Sequence, residues 1–181
     1  MKLVIAIDPG LSGGIAVMDP DADSPLIYLA PLPLNKLTAS KKEIDVCDLK
    51  AILVKAMSMS PVIQVYLERQ QSMPRDSNQA AFTVGRNYGV LEGVIKSFNL
   101  PIEYIPPTTW QNARFKGLPE SATTKEKSLL CFKRTFPGVS LKVGPRSSKE
   151  HDGMADAANI ACYGTMLVKT GQTIVMPYAR K

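Results

Sequence analysis

Three short apolar runs crowd into the first thirty residues, and each is closed by a turn signal. Residues 3–8 read Leu-Val-Ile-Ala-Ile-Asp and stop at Pro9-Gly10, Ile15-Ala16-Val17-Met18 stops at Asp19-Pro20, and Leu26-Ile27-Tyr28-Leu29 stops before Pro31 and Pro33. Runs this short suit strands better than helices. Gly10-Leu11-Ser12-Gly13-Gly14 supplies a tight reversal, since glycine tolerates positive φ, and the prolines remove ladder donors. The chain therefore opens with three antiparallel strands. Helical spacing follows over residues 45–58 (Val46, Leu49, Ile52, Leu53, Ala56), with Asp45 as N-cap. Residues 62–67 and 102–105 read as strands, the latter stopped by Pro106-Pro107, and 78–98, 124–135 and 150–168 as helices. The order βββ-α-β-α-β-α-α predicts an α/β fold: a mixed five-stranded sheet, three antiparallel strands then two parallel, with helices on both faces.

In the helix over 78–98, Phe82, Tyr88, Leu91 and Ile95 are the expected core contacts. Gly85, Gly89 and Gly93 recur every four residues and leave a flat stripe, open to two uses: internal packing or a dimer face. In the last helix Ala157, Ile160, Ala161 and Leu167 should face inward. At 181 residues and 45% hydrophobic content, one domain over 1–170 is expected, with a short basic tail over 171–181. No apolar stretch nears the roughly 20 residues needed to span a bilayer, and a strand pattern that starts at Leu3 leaves no room for a leader. Cys47, Cys131 and Cys162 are too scattered for a zinc site or a disulfide framework. They are expected to be buried thiols in a cytoplasmic protein.

The net charge of +6 is unevenly distributed. Residues 111–150 hold nine Lys/Arg against Glu120, Glu126 and Glu150, which accounts for the whole excess. A basic excess confined to one stretch suits a polyanion-binding surface, and a solvated lysine-rich helix face is the alternative.

Four carboxylates carry the chemistry. Asp8 closes the first strand and Glu68 the fourth, while Asp152 and Asp156 stand four residues apart at the start of the last helix and so share one face of it. Singly they have plain explanations: a turn former, a solvated strand end, and two acids complementing a helix macrodipole. In this order, however, the first and fourth strands are expected to be neighbours, and a helix laid across them brings all four acids together. Such a cluster needs divalent cations to neutralise it, and hard oxygen ligands suit Mg²⁺ or Mn²⁺.

The string Ile7-Asp8-Pro9-Gly10-Leu11-Ser12-Gly13-Gly14 resembles the opening of RuvC-type Holliday junction resolvases. Tyr66-Leu67-Glu68 is similar to their second acidic strand, and Asp152-Gly153-Met154-Ala155-Asp156-Ala157 to their closing helix. The spacing is especially similar to the bacteriophage and chloroplast branch of this RNase H-like superfamily, and the match extends from Lys2 to about Val168. This chain has Asp152 where some relatives have His. The resemblance implies an RNase H-like fold and a homodimer that cuts four-way DNA junctions by metal-dependent phosphodiester hydrolysis. Asp8, Glu68, Asp152 and Asp156 would hold two Mg²⁺ ions, with Mn²⁺ able to substitute. Lys125 matches a lysine kept near the scissile phosphate; a solvent-facing helix lysine is the other reading, and Lys127 is the backup. Met73 aligns with an aromatic wedge that enters the junction centre, or else packs under its own loop. Ser12, Arg69, Arg75, Arg86, Arg114, Lys116 and Lys127 are the remaining DNA-contact candidates, and Trp110 is expected mainly to pack. His151, the chain's one histidine, is either a proton shuttle or a hydrogen-bonded surface residue.

Two other functions compete. Actin-like ATPases also open with a strand, an acid and a glycine hairpin, but the chain lacks room for their second lobe. No nucleotide cofactor and no membrane partner are therefore expected. A catalytically silent junction binder would have no reason to gather carboxylates beside phosphates. A nuclease acting on other branched DNA stays open.

Overall fold

The computed structural model describes residues 1–23, 25–38, 42–71 and 77–172. Its main sheet has the order β3-β2-β1-β6-β7, built from β1 (Leu3–Ile7), β2 (Gly14–Met18), β3 (Leu26–Pro31), β6 (Val62–Glu68) and β7 (Ile102–Ile105). β1 pairs antiparallel with β2, and β2 with β3, while β1, β6 and β7 run parallel. This is the mixed five-stranded sheet expected from the element order.

β1 is apolar at every position because both faces of the sheet are covered. Leu3, Ile5 and Ile7 join Ile15, Val17, Val65 and Leu67 under Leu49, Leu53, Leu91 and Ile95 of two helices, α1 (Val46–Met59) and α2 (Asn78–Ser97). Val4 and Ala6 join Ala16, Met18 and Tyr66 on the other face, beneath α5 (Asp152–Thr170). Each fully buried Ile, Leu or Val contributes about 1.5–3 kcal/mol. α5 lies close because Gly164 sits on the Tyr66 ring, where a Cβ would come within 2.2 Å of Cδ2. Ala157, Ile160, Ala161 and Leu167 are buried as expected.

Two small elements escape the sequence pattern. β4 (Leu34–Lys36) and β5 (Lys42–Ile44) pair as a separate hairpin. They lack an apolar run and are fastened from outside, by Asn87 Oδ1 accepting from the Ile44 amide at 3.1 Å. α3 (Pro107–Arg114) begins where the proline pair signals only a stop. Proline ends a strand, but its fixed φ also suits the first helical position. Asp45 caps α1 as expected, accepting from the Asp48 amide at 3.0 Å. α4 spans Thr124–Thr135 behind a Thr123/Glu126 capping box.

Two expectations on burial are corrected. Phe82 is 70% exposed, on the outer side of α2 where the sheet cannot reach it, whereas Leu91 and Ile95 are buried. Among the described residues nothing lies within 4 Å of a Cβ built at Gly85, Gly89 or Gly93, so they show no internal packing on that stripe. Cys47 is exposed in the first turn of α1; Cys131 is buried and Cys162 partly so, and all three are free. No described helix is long and apolar enough to cross a membrane.

Candidate active site

Parallel pairing sets Ile7 beside Leu67, so the next residues, Asp8 and Glu68, emerge at the same edge of the sheet. The third participant, α5, is brought there by backbone contact. Gly13 and Gly153 form an isolated parallel bridge. A Cβ on Gly153 would stand 2.0 Å from the Ser12 carbonyl oxygen, and one on Gly14 2.5 Å from the Gly153 oxygen. Only glycine permits that approach, and it places the first turn of α5, with Asp152 and Asp156, over the ends of β1 and β6.

The acids at this edge feel one another's charges. Asp8 is pushed up to about 7, first by burial and then by the charge of Asp156, with Asp152 adding to it and the Gly10 amide opposing. Burial and then the charge of Asp8 push Glu68 up to about 8, against a hydrogen bond from Trp110. Asp156 rises to about 6, chiefly through burial, with the Ser128 hydroxyl opposing and the Asp152 charge adding. Asp152 behaves differently. Burial raises it, but Lys125 and the amides of Asp152 and Gly153 outweigh that and hold it below the usual carboxylate value.

Each carboxylate also has a donor of its own. Gly10 N donates to Asp8 Oδ1 at 3.2 Å, Trp110 Nε1 to Glu68 Oε1 at 2.7 Å, and Ser128 Oγ to Asp156 Oδ1 at 2.5 Å. Lys125 Nζ lies 2.6 Å from Asp152 Oδ2. Among the described residues, no three His, Cys, Asp or Glu side chains close into a ready-made metal cage. The donor set nevertheless suits hard divalent cations: oxygen-only ligands, crowded and desolvated, whose charges need a counter-charge near neutral pH.

The basic candidates divide. Lys125 belongs to the cluster. Ser12 is exposed on the glycine loop against α5, and Arg69 and Lys116 are exposed. Arg86 is turned to Glu43 at 2.7 Å. Arg114 braces α3 to α4 through Thr135 Oγ1 at 2.7 Å, with its Nε buried. Lys127 reaches back to the Glu120 carbonyl at 3.4 Å. Met73, Arg75 and the tail from 173 onward lie outside the described residues. His151 N-caps α5, its Nδ1 accepting from the Met154 amide at 3.2 Å. Burial holds its pKa below the usual value, and Nδ1 is committed to the cap.

Trp110 is 1% exposed and packs edge-on against Phe115, as a packing residue should, but it also holds Glu68. Ser128 and Asn159 were not singled out by sequence. Their only signals are spacings: Ser128 lies three residues after Lys125, and Asn159 three after Asp156.

No protein-family model and no curated protein matches the sequence. Solved structures do match in three dimensions. The Thermus thermophilus RuvC structure in complex with Holliday junction substrate is 17% identical over 96% of this chain and 98% of its own, with a TM-score of 0.62. A second Thermus thermophilus RuvC structure is 19% identical over 94% and 98%, with a TM-score of 0.58. The fold is that of RuvC. A third likeness, to the yeast mitochondrial Holliday junction resolvase Ydc2, is 15% identical over 93% of this chain and 81% of that one, with a TM-score of 0.54. Agreement along nearly whole chains fits an RNase H-like α/β fold of the RuvC kind.

Proposed function

We propose that this protein is a metal-dependent endonuclease that resolves four-way DNA junctions by hydrolysing paired phosphodiesters. The observation that carries the proposal is the convergence of Asp8, Glu68, Asp152 and Asp156 at one sheet edge of a RuvC fold, three of them raised toward or beyond neutrality by burial and one another. The chemistry supplied by a bound pair of Mg²⁺ or Mn²⁺ ions is activation of the attacking water and stabilisation of the leaving 3′-oxygen. The carboxylates of this chain would hold those ions. Trp110 holds Glu68 through its indole N–H, and the Gly13–Gly153 contact holds α5 in register with β1.

Lys125 is exposed and, among the described residues, tethered through Asp152, so its ammonium can swing onto a phosphate and offset charge developing in the transition state. Ser12, Arg69 and Lys116 are the exposed contacts proposed to orient the DNA arms, and Lys127 is a nearby reserve; phosphate contacts of this kind position without reading sequence. Met73 and Arg75 keep their proposed roles as wedge and phosphate contact. Arg86 and Arg114 would first have to leave Glu43 and Thr135. Two symmetric cuts call for two sites, hence a homodimer. The outer face of α2, with Phe82 exposed beside open glycines, is the proposed seam.

Cleavage of four-way, three-way and linear duplex DNA in Mg²⁺, Mn²⁺ and EDTA tests the proposal. Cutting of the four-way substrate with divalent ions, and binding alone in EDTA, is expected. Preference for a three-way substrate would reassign the protein to other branched DNA, and binding without cleavage under all conditions would make it a silent junction binder.

A further inference from the structure

Asp152, Asp156 and Asn159 form one stripe along α5, at spacings of four and three residues. α4 faces it with Lys125 and Ser128, three apart. The cross-helix contacts pair Lys125 with Asp152 and Ser128 with Asp156. Asn159 Nδ2 then donates to both the carbonyl oxygen and the Oγ of Ser128, at 3.0 and 3.1 Å. Ser128 and Asn159 are both 0% exposed.

A serine hydroxyl has one proton and two lone pairs, and inside a helix it commonly turns back to the carbonyl of the preceding turn. Here the Asn159 amide occupies a lone pair of Ser128 Oγ, which directs the single proton to Asp156. The arrangement is unfavourable for Asn159 itself. Its Oδ1 is buried with no hydrogen-bond partner among the described residues, and an unsatisfied buried acceptor destabilises a fold where an apolar side chain of similar shape would not. Local rules are broken in this way mainly at functional sites. Asn159 is cut off from solvent and both of its hydrogen bonds among the described residues go to Ser128, so its influence passes through Ser128.

We propose that Asn159 is a positioning residue of the acid site: by fixing the Ser128 hydroxyl it sets the orientation in which Asp156 meets a divalent cation. The proposal rests on the nuclease reading above and assigns two residues that reading leaves without a role.

The test titrates DNA-free, full-length protein with Mn²⁺ by calorimetry and follows thermal unfolding in EDTA in parallel. Asn159→Leu should weaken Mn²⁺ binding about 10-fold or more, the usual scale for a residue that orients a ligand, while the unfolding temperature stays level or rises. Ser128→Ala should lose as much, Ser128→Thr should recover most of it, and the Asn159→Leu/Ser128→Ala double variant should bind no more weakly than Ser128→Ala. Wild-type Mn²⁺ affinity in Asn159→Leu or in Ser128→Ala overturns the relay. So does a double variant whose loss equals the product of the two single losses. The Ser128 pair decides the matter even if Asn159→Leu does not fold. Wild-type protein that binds no Mn²⁺, or an Asp8→Asn variant that binds it unchanged, overturns the metal site and this proposal with it. That outcome is distinct because it is seen with Asn159 intact.

Discussion

Gly13 and Gly153 meet backbone to backbone, in a parallel bridge that joins the turn after β1 to the first turn of α5. Through this contact, acids more than 140 residues apart in sequence share one edge of the sheet. It also links a local feature, the absence of two side chains, to the chemistry proposed for the site.

Gly153→Ala would place a methyl group 2.0 Å from the Ser12 carbonyl and 2.6 Å from Gly13 Cα. Both neighbours are backbone, so α5 or the glycine loop must move. Overpacking of this kind costs about 1–3 kcal/mol, which a domain of this size should survive. Misplacing the acids by about 1 Å should lower cleavage on the order of 100-fold. Urea denaturation and single-turnover cleavage measured on the same preparation check both numbers, and full activity would show that the bridge does not set the site.

Trp110→Phe keeps an aromatic ring against Phe115 but removes the indole N–H from Glu68. That hydrogen bond lowers the Glu68 pKa, so its loss moves the carboxyl further above about 8. Cation binding, which requires the ionised form, should then begin at higher pH. The expected result is an alkaline shift in the rising limb of the pH–rate profile and a drop of about 10-fold near pH 7. A profile that falls uniformly without shifting would reduce Trp110 to packing alone.

The acid cluster also makes the metal-free protein sensitive to pH. Asp8, Glu68 and Asp156 are raised to about 7, 8 and 6 in the folded chain, so the folded state binds protons that the unfolded state has released. Their stabilising contribution is complete below the ordinary carboxylate range, near pH 4, and is lost as pH rises through about 6 to 8. In EDTA the unfolding free energy should therefore fall between about pH 5.5 and pH 8.5, by on the order of a few kcal/mol, and the unfolding temperature should fall with it. Asp8→Asn should flatten the fall, and Mg²⁺ should reverse it at the alkaline end. A flat profile in EDTA would mean that the carboxylates do not crowd one another in solution.

Much of this arrangement was legible in sequence, for identifiable reasons. Strands β1, β2 and β3 are short apolar runs bounded by Gly, Pro or Asp, and β6 and β7 are mostly apolar runs broken only by Gln64 and Glu103 before their ends. The acids stood at the ends of those runs and on a helical i, i+4 face, so topology alone brought them together. The hairpin β4–β5 was hidden because polar three-residue strands carry no pattern of their own. Phe82 was misplaced because periodicity identifies an apolar position without showing which side of the helix the sheet occupies. Trp110, Ser128 and Asn159 were missed as site residues because their roles depend on contacts 42, 28 and 31 residues away in sequence, which no local spacing encodes.

Replacing Lys125 separates chemistry from binding. Its ammonium is exposed and pairs with Asp152 at 2.6 Å, a contact that by itself should matter little to stability, since exposed pairs contribute about 0–1 kcal/mol. If the ammonium moves to the scissile phosphate as charge builds there, Lys125→Ala removes an interaction realised only in the transition state. The single-turnover cleavage constant should then fall about 100-fold, while junction affinity in EDTA changes by less than about 3-fold. Salt dependence gives an independent check. Counterion release predicts that the affinity of both proteins falls steeply as salt rises, and loss of one of many phosphate contacts should leave the two slopes nearly equal. An unchanged cleavage constant would remove Lys125 from the site, and a loss confined to affinity would make it one more phosphate anchor.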